Sequence, residues 1–161
     1  KIIWLELSDK SKFTIENQHY TLAGTFIMTG EYLRYLLAFL NSKLIEWYFD
    51  YICNSSGTGT NQWKKVFVEQ IPIPKIDEES QKPFIKLVDE ILEAKQKIKD
   101  YKPLLDEAIK NNNFDREIAL KKELENLENI CTTNEKTIDQ MVYKLYDLTQ
   151  DEIKIVENKE S

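Results

Sequence analysis

A polar loop followed by cations has the most suggestive chemistry in the sequence. The stretch SSGTGTNQWKK, from Ser55 to Lys65, combines hydroxyl and amide side chains with two glycines, and an aromatic residue and two lysines follow. Hydroxyl and amide groups can hydrogen-bond to base edges in DNA, and glycine lets the backbone approach a ligand closely. Lysines beside such a loop suit phosphate anchoring. An ordinary solvated hairpin loop is the alternative, since polar loops are common.

A second loop, from Ser8 to Lys12, repeats this composition with two serines and two lysines. We expect the two loops to form the DNA-facing region, with Arg34 as a further phosphate ligand. The lysines are expected to act through phosphate, whereas Asn61 and Gln62 are expected to change base preference. The candidate DNA-binding residues are Ser8, Lys10, Ser11, Lys12, Arg34, Asn54, Ser55, Ser56, Thr58, Thr60, Asn61, Gln62, Trp63, Lys64 and Lys65.

Residues for catalysis or metal binding do not form a recognisable set. The GTG at Gly57–Gly59 lacks the helix and the lysine spacing of a phosphate-binding loop. His19 has no nucleophile or orienting partner nearby in sequence. Two distant cysteines, Cys53 and Cys131, and one histidine cannot supply a Cys/His metal site. The two cysteines are expected to be the reduced thiols of a cytoplasmic protein. We therefore predict no catalytic residue, no metal ligand and no cofactor bound by this chain.

The acidic character of the chain is confined to its second half. The 161 residues carry a net charge of −6, from 22 Lys and Arg against 28 Asp and Glu. Residues 1–76 hold eight basic and seven acidic residues, a net of +1, which leaves 14 against 21, a net of −7, for residues 77–161. The overall charge therefore does not argue against a nucleic-acid partner for the first half. No run of about 18 apolar residues is present, so we predict no membrane-spanning segment.

The first half has the pattern of a small α+β domain. KIIWLEL and GTFIMT are typical of strands, and leucines at helical spacing predict a helix from near Glu31. Ser42 is placed to cap a second helix that reaches about Tyr51. KVFVEQIPIP is predicted to be a closing strand that runs out at a sheet edge, because Pro72 and Pro74 cannot donate to a ladder.

The second half is predicted to be helical throughout. Apolar residues recur every seven positions from Phe84 to Leu105, and at alternating spacings of four and three from Leu120 to Leu148, which is typical of a coiled-coil seam. Asn111–Asn113 is the expected turn between the two arms. The predicted fold class is therefore α+β: a small mixed or antiparallel-sheet recognition domain over 1–76, followed by an antiparallel, coiled-coil-like helical hairpin over 77–161.

Three local signals modify this hairpin. Pro103 is expected to kink or restart the first arm. TTNE, at Thr132–Glu135, is a possible capping box, so it is expected to interrupt the second arm. TQDEIKIVE, from Thr149, has the pattern of a clearer capping box and predicts a short C-terminal helix.

Two segments in a fixed order, LLAFLNSKLI (Leu36–Ile45) and VEQIPIPKI (Val68–Ile76), resemble the TaqI-like C-terminal specificity domain. That domain is the target recognition domain of type IIG restriction-modification enzymes and related adenine-specific DNA methyltransferases. The segment IDQMVYKLYDLTQDEIKIVE (Ile138–Glu157) is similar to the helices that follow recognition domains in type I specificity subunits. The resemblance implies that the first domain reads bases in the major groove of double-stranded DNA.

The same resemblance implies a division of labour with other domains. In such enzymes a separate domain flips and methylates an adenine with S-adenosylmethionine, and type IIG chains add a nuclease, for which Mg²⁺ is the expected cofactor. This chain has no Asn-Pro-Pro-aromatic motif, no Gly-rich cofactor motif and no nuclease-like carboxylate set. We therefore expect an inactive specificity portion, cut from a longer chain that begins before Lys1, whose helical region contacts a methyltransferase domain or subunit.

Two other functions remain open at the level of the sequence. The first is a coiled-coil protein-interaction module that has no DNA affinity. The second is an enzyme of an unrecognised type, which would require a deep pocket with perturbed carboxylates in residues 1–76.

Overall fold

The computed structural model describes residues 1–17, 23–53 and 60–158. The chain divides into two compact units. Unit 1 comprises Lys1–Ile85 together with Ile138–Ser161, and unit 2 comprises Lys86–Thr137. The predicted domains were divided at residue 76. Unit 1 extends past that residue and also includes the C-terminal part of the chain.

The strands of unit 1 are short and antiparallel. Strand β1 (Ile2–Leu5) is the central strand of a three-stranded sheet and pairs with β3 (Thr14–Ile15) on one side and β4 (Thr25–Met28) on the other. Strand β2 (Leu7–Ser8) leaves this sheet and pairs with β5 (Asn61–Gln62) in a second, two-stranded sheet. The two strands predicted from KIIWLEL and GTFIMT are therefore confirmed, although the first is divided between the two sheets.

Two consecutive helices pack beside the strands. Helix α1 (Leu33–Leu40) and helix α2 (Lys43–Ile52) are separated by Asn41 and Ser42. The Ser42 hydroxyl accepts a hydrogen bond from the Ile45 N–H, which confirms its predicted role as the cap of α2.

The predicted closing strand is wrong. Residues Lys65–Val68 form a single helical turn, α3, and residues 71–77 have no regular structure. Val68 and Ile71 are both buried, and a separation of three residues places two side chains on one face of a turn. Burial of this pair favours the turn, and the two prolines then keep the following segment out of any ladder.

Four aromatic rings from different elements form the centre of the core. Trp63 stacks on Phe49 with ring centroids 3.7 Å apart and an interplanar angle of 4°. Phe13 meets Trp63 edge-on at 5.5 Å and lies 5.2 Å from Trp4. This cluster joins β1, the segment before β3, helix α2 and the segment after β5, so it holds together parts of the chain that are distant in sequence.

Unit 2 contains two paired helical segments. Helix α4 (Glu78–Lys110) and helix α5 (Phe114–Leu145) are joined by a three-residue turn, which confirms the predicted hairpin. Within the unit, the side chain of Asn134 donates to Glu90 at 2.8 Å, and Lys95 pairs with Glu135 at 2.9 Å. Asn134 is thus a buried polar residue that has a partner on the facing helix.

Neither expected interruption of the long helices occurs. Helix α4 continues through Pro103, where both Pro103 and Lys99 are exposed, so the Lys99 carbonyl that loses its helical donor can bond to water. Helix α5 continues through TTNE, where the Thr132 hydroxyl donates to the Glu128 carbonyl one turn back. This back-bonding satisfies the hydroxyl inside the helix, so it does not act as a cap.

The residues of the predicted seam in the second arm are buried or half-buried only as far as Ile138. Beyond it, Val142 and Tyr143 are almost completely buried, whereas the predicted seam residue Leu145 is exposed. The reason is that this part of α5 belongs to unit 1, where Asp139 accepts a hydrogen bond from the Lys43 N–H at 2.9 Å. Packing against a folded domain buries a wider face of a helix than pairing with one other helix.

Helix α6 (Gln150–Glu157) begins at the predicted capping box. The Thr149 hydroxyl accepts from the Glu152 N–H at 3.4 Å, and the Glu152 carboxylate accepts from the Thr149 N–H at 2.7 Å. The Thr149 N–H and hydroxyl both donate to the carboxylate and lower the pKa of Glu152, so these two bonds are fully formed above the ordinary glutamate pKa and are lost as the pH falls through the lowered value.

We predict that Thr149→Ala lowers the free energy of unfolding by about 1 kcal/mol, because the first turn of α6 loses its side-chain acceptor. The measurement is the urea midpoint followed by circular dichroism. Thr132→Ala is the matched control, since that threonine lies in the middle of α5, and its removal is expected to leave the midpoint unchanged or slightly higher. Equal losses in both variants would contradict the capping role.

Two sequence expectations concern the chain as a whole. Within the described ranges, none of the helices is both long and apolar enough to cross a membrane. Cys53 and Cys131 are both free thiols, and burial raises the pKa of each. Neither thiol is therefore set up as a reactive nucleophile.

Candidate nucleic-acid interface

The structure brings the two predicted loops together. Ser8 pairs with Asn61 and Leu7 pairs with Gln62 in the β2–β5 ladder. The ladder continues past β5, because the Trp63 N–H donates to the Glu6 carbonyl at 2.7 Å. The loop after β2 and the segment before β5 therefore leave the same end of one short ladder, although they are more than forty residues apart in the sequence. We call the surface formed by Lys10–Lys12 and Thr60–Lys65 the two-loop surface.

The first of these loops is held in place by side chains of the helices. Both the backbone N–H and the hydroxyl of Ser11 donate to the same Glu46 carboxylate oxygen, at 3.2 and 3.0 Å. The side chain of Asn41 accepts from the Phe13 N–H and donates to the Phe13 carbonyl, both at 3.0 Å. The loop from Ser8 to Phe13 is thus preorganised by α2 and by the residue that ends α1.

The lysines of the two-loop surface lie at opposite ends of the ladder. Lys10 and Lys12 follow Ser8 at one end, and Lys64 and Lys65 follow Gln62 at the other. The chain does not stay extended over this stretch, because the Lys64 N–H donates to the Gln62 carbonyl two residues back, at 2.8 Å. Cations at both ends of the ladder can hold phosphates on either side of a ligand that the ladder faces.

Three of these four lysines have a carboxylate partner. Lys12 pairs with Asp9 at 2.6 Å, Lys65 with Glu69 at 3.3 Å and Lys64 with Glu6 at 4.0 Å. Exposed ion pairs contribute about 0–1 kcal/mol, so a phosphate can replace these partners at little cost. Among the described residues, Lys10 has no carboxylate partner, which makes its ammonium the cation most available to a phosphate.

The structure corrects the prediction for Trp63 and Ser8. Trp63 is only 1% exposed, its indole N–H donates to the Ser8 carbonyl at 3.2 Å, and its ring stacks on Phe49. Ser8 is also buried, and its hydroxyl accepts from the Lys10 N–H. Trp63 was predicted to contact DNA together with the two lysines, but its ring is enclosed by core residues. Both residues position the surface and do not present side chains to a ligand.

The remaining predicted residues are distributed unevenly. Thr60, Asn61 and Gln62 are half-buried along the ladder, and the Asn61 amide donates to the Asp50 carboxylate. Arg34 is exposed in the first turn of α1, seven residues before Asn41, which is about 10 Å along a helix axis. Asn54, Ser55, Ser56 and Thr58 lie outside the described residues.

Sequence reasoning missed the residues that hold the first loop. Neither Asn41 nor Glu46 was among the site residues predicted from the sequence. The available signal was the carboxylate of Glu46, which lies in the first turn of α2 among buried residues. A partly buried carboxylate needs hydrogen-bond donors nearby. The donors come from a loop more than thirty residues earlier, which no local pattern could identify.

Comparison with known proteins gives one family match. Residues 1–73 match the sequence profile of the TaqI-like C-terminal specificity domain. No curated protein and no solved structure matches the chain. The matched region covers all of the described two-loop surface and ends within the segment that precedes α4.

Proposed function

We propose that the chain is the DNA-reading part of a restriction-modification enzyme, because residues 1–73 match the TaqI-like C-terminal specificity domain. Its first unit binds double-stranded DNA sequence-specifically through the two-loop surface. The observation that carries the proposal is the β2–β5 ladder, which joins the two lysine-bearing loops on one side of a domain of this family.

The geometry of the surface supports binding in the major groove. Lys10 and Lys64 lie at the two ends of the ladder, where they can hold the phosphates that border a groove. Gln62 lies between them and carries an amide group, which can donate and accept at the edge of an adenine. The Asn61 side chain points to the opposite face of the strand and donates to Asp50. The bonds from Glu46 and Asn41 hold the first loop before DNA arrives, which reduces the entropy that binding must overcome.

Catalysis would lie outside this chain. An adenine-specific methyltransferase domain or subunit, with S-adenosylmethionine, would carry out the modification, and a nuclease that requires Mg²⁺ would accompany it in a type IIG enzyme. The helical region would contact the methyltransferase, and the complex would act in the cytoplasm. In this arrangement the present chain selects the DNA site and contributes no reacting group.

The proposal is tested by fluorescence anisotropy of a labelled duplex of random sequence, titrated with the full 161-residue chain at several salt concentrations. In Lys10→Gln/Lys64→Gln we expect the slope of log K against log salt to fall by about 2, because each lost phosphate contact removes about 0.9. At 0.1 M salt this corresponds to a loss of affinity on the order of 50-fold.

The control variant is Lys110→Gln/Lys122→Gln, which makes the same change in net charge at exposed positions of unit 2. Its binding is expected to equal that of the unmodified chain. If both variants lost affinity equally, binding would reflect overall charge, and the two-loop surface would not be the interface. If the unmodified chain did not bind even at low salt, the interaction-module alternative would be favoured.

A further inference from the structure

Leu7 is an exposed apolar residue in the ladder that joins the two loops. Side chains alternate between the two faces of a strand, and Trp4 and Ser8 are buried on one face of the segment that runs from β1 into β2. Leu5 and Leu7 lie on the opposite face, where they are 53% and 55% exposed. This face is therefore open to a ligand, although no polar motif in the sequence marks it.

Leu7 lies directly beside Gln62 in the two-stranded sheet. The Trp63 N–H donates to the Glu6 carbonyl, so Glu6 and Trp63 form a hydrogen-bonded pair. Pairs of the two kinds alternate along an antiparallel ladder, so the next pair, Leu7 and Gln62, is a non-hydrogen-bonded pair. In such a pair the Cα atoms are about 4.5 Å apart, and the two side chains lie close together on one face. An apolar side chain and an amide therefore share one small area of the surface.

An A·T base pair presents the matching groups in the major groove of DNA. This groove admits a two-stranded ribbon such as the β2–β5 ladder. Adenine offers the N7 acceptor and the N6 donor, which pair with a glutamine amide, and thymine offers a 5-methyl group, which packs against an apolar side chain. A G·C base pair has no methyl group, so it leaves Leu7 without an apolar partner. The two neighbouring side chains together therefore select A·T.

The lysines around this face favour DNA over a protein as its partner. Lys10 and Lys12 follow β2 at one end of the ladder, and Lys64 and Lys65 follow β5 at the other. Protein–protein interfaces are depleted in lysine, whereas DNA-binding surfaces are strongly positive. Leu7 thus lies between groups that suit phosphate, and the thymine methyl is the apolar group that DNA exposes in its major groove.

We propose that Leu7 is a specificity-determining residue that packs on the 5-methyl group of a thymine, while Gln62 binds an adenine of the same base pair or of the next one. This role rests on the proposed DNA-binding function and extends it, because it assigns the kind of base pair that the ladder reads. Leu7 supplies an apolar contact that the hydroxyl and amide side chains of the two loops do not provide.

The test begins with a selection by the full 161-residue chain from duplexes that have a randomised central segment. Binding of the selected duplex is then measured by fluorescence anisotropy while its A·T pairs are altered one at a time. Deoxyuridine in place of thymidine removes only the methyl group, and 7-deazaadenine in place of adenine removes only the N7 acceptor. We expect one thymine at which uracil weakens binding about fourfold, the effect of one buried methyl group. At an adenine of the same or the next pair, the 7-deaza base is expected to weaken binding about fivefold.

Two leucine variants locate the contact. In Leu7→Ala we expect the thymine and uracil duplexes to bind equally, because the methyl group no longer has an apolar partner. Leu5→Ala is the matched control, since Leu5 is about as exposed on the same face but pairs with Thr25 in the other sheet. It is expected to keep the fourfold preference for thymine. The thermal midpoint of each variant checks that the chain remains folded.

The outcomes separate this role of Leu7 from the proposed function. Salt-dependent, sequence-selective binding without a methyl-sensitive thymine would overturn the role of Leu7 and leave the proposed function standing. A preference for thymine that survives Leu7→Ala, or that is lost equally in Leu5→Ala, would do the same. Binding without sequence enrichment, or no binding even at low salt, would overturn both, and a protein would then be the favoured partner of the apolar face.

Discussion

Trp63→Ala is expected to lower the free energy of unfolding of unit 1 by about 3–5 kcal/mol, the usual cost of truncating a buried tryptophan. The indole is completely buried, and it stacks on Phe49 and meets the edge of Phe13. Its N–H also satisfies the Ser8 carbonyl, which would be left without that donor. The measurement is a urea titration followed by the fluorescence of Trp4 and Trp47, which both lie in unit 1.

Trp63→Phe is the companion variant, because it keeps a ring against Phe49 but loses the donor to the Ser8 carbonyl. We expect it to cost less than the alanine variant and to retain DNA binding under conditions where it remains folded. A tryptophan that stacked on DNA bases would behave differently. Its replacement with alanine would leave the urea midpoint unchanged and would weaken only the binding of DNA, and that result would contradict the placement of Trp63 in the core.

Asn41→Ala is expected to lower the free energy of unfolding by about 2–4 kcal/mol. The side chain of Asn41 satisfies both the N–H and the carbonyl of Phe13, and its amide also donates to the Leu37 carbonyl. Each partly buried backbone group that is left without a partner costs about 1–3 kcal/mol. The same urea titration measures the loss. DNA affinity at temperatures well below unfolding is also expected to fall, because the first loop is no longer held.

Ser11→Ala is the matched control for the loop. It removes only the hydroxyl bond to Glu46, while the backbone N–H of residue 11 still donates to the same oxygen. Its expected cost is therefore about 0.5–1.5 kcal/mol. A loss in Ser11→Ala as large as that in Asn41→Ala would show that Glu46, and not Asn41, is the main anchor of the loop.

The family match decides which interpretation of the polar loops is tested first. Solvated loops are common and their composition alone does not distinguish DNA binding from exposure to water. The match of residues 1–73 to the TaqI-like C-terminal specificity domain makes recognition of a DNA site the function to test first. The structure adds that the lysines occupy both ends of one ladder, which makes the two separate loops parts of one surface.

The sequence by itself determined the elements whose signals are local. Ser42 caps α2, Thr149 and Glu152 form the capping box of α6, and Asn111–Asn113 turns the chain between the two long helices. A cap or a turn depends on groups within about four residues, so its chemistry can be read from a short window.

Only the tertiary structure decided the roles of residues whose partners are distant. Trp63 became a core residue because its N–H meets the Ser8 carbonyl 55 positions away and its ring meets α2. The KVFV segment became a helical turn, although its β-branched residues favour a strand, because burial of Val68 and Ile71 outweighs that preference. Propensity differences amount to about 1 kcal/mol or less per residue, whereas burying one large apolar side chain contributes about 1.5–3 kcal/mol. Long-range packing therefore decides wherever the two disagree.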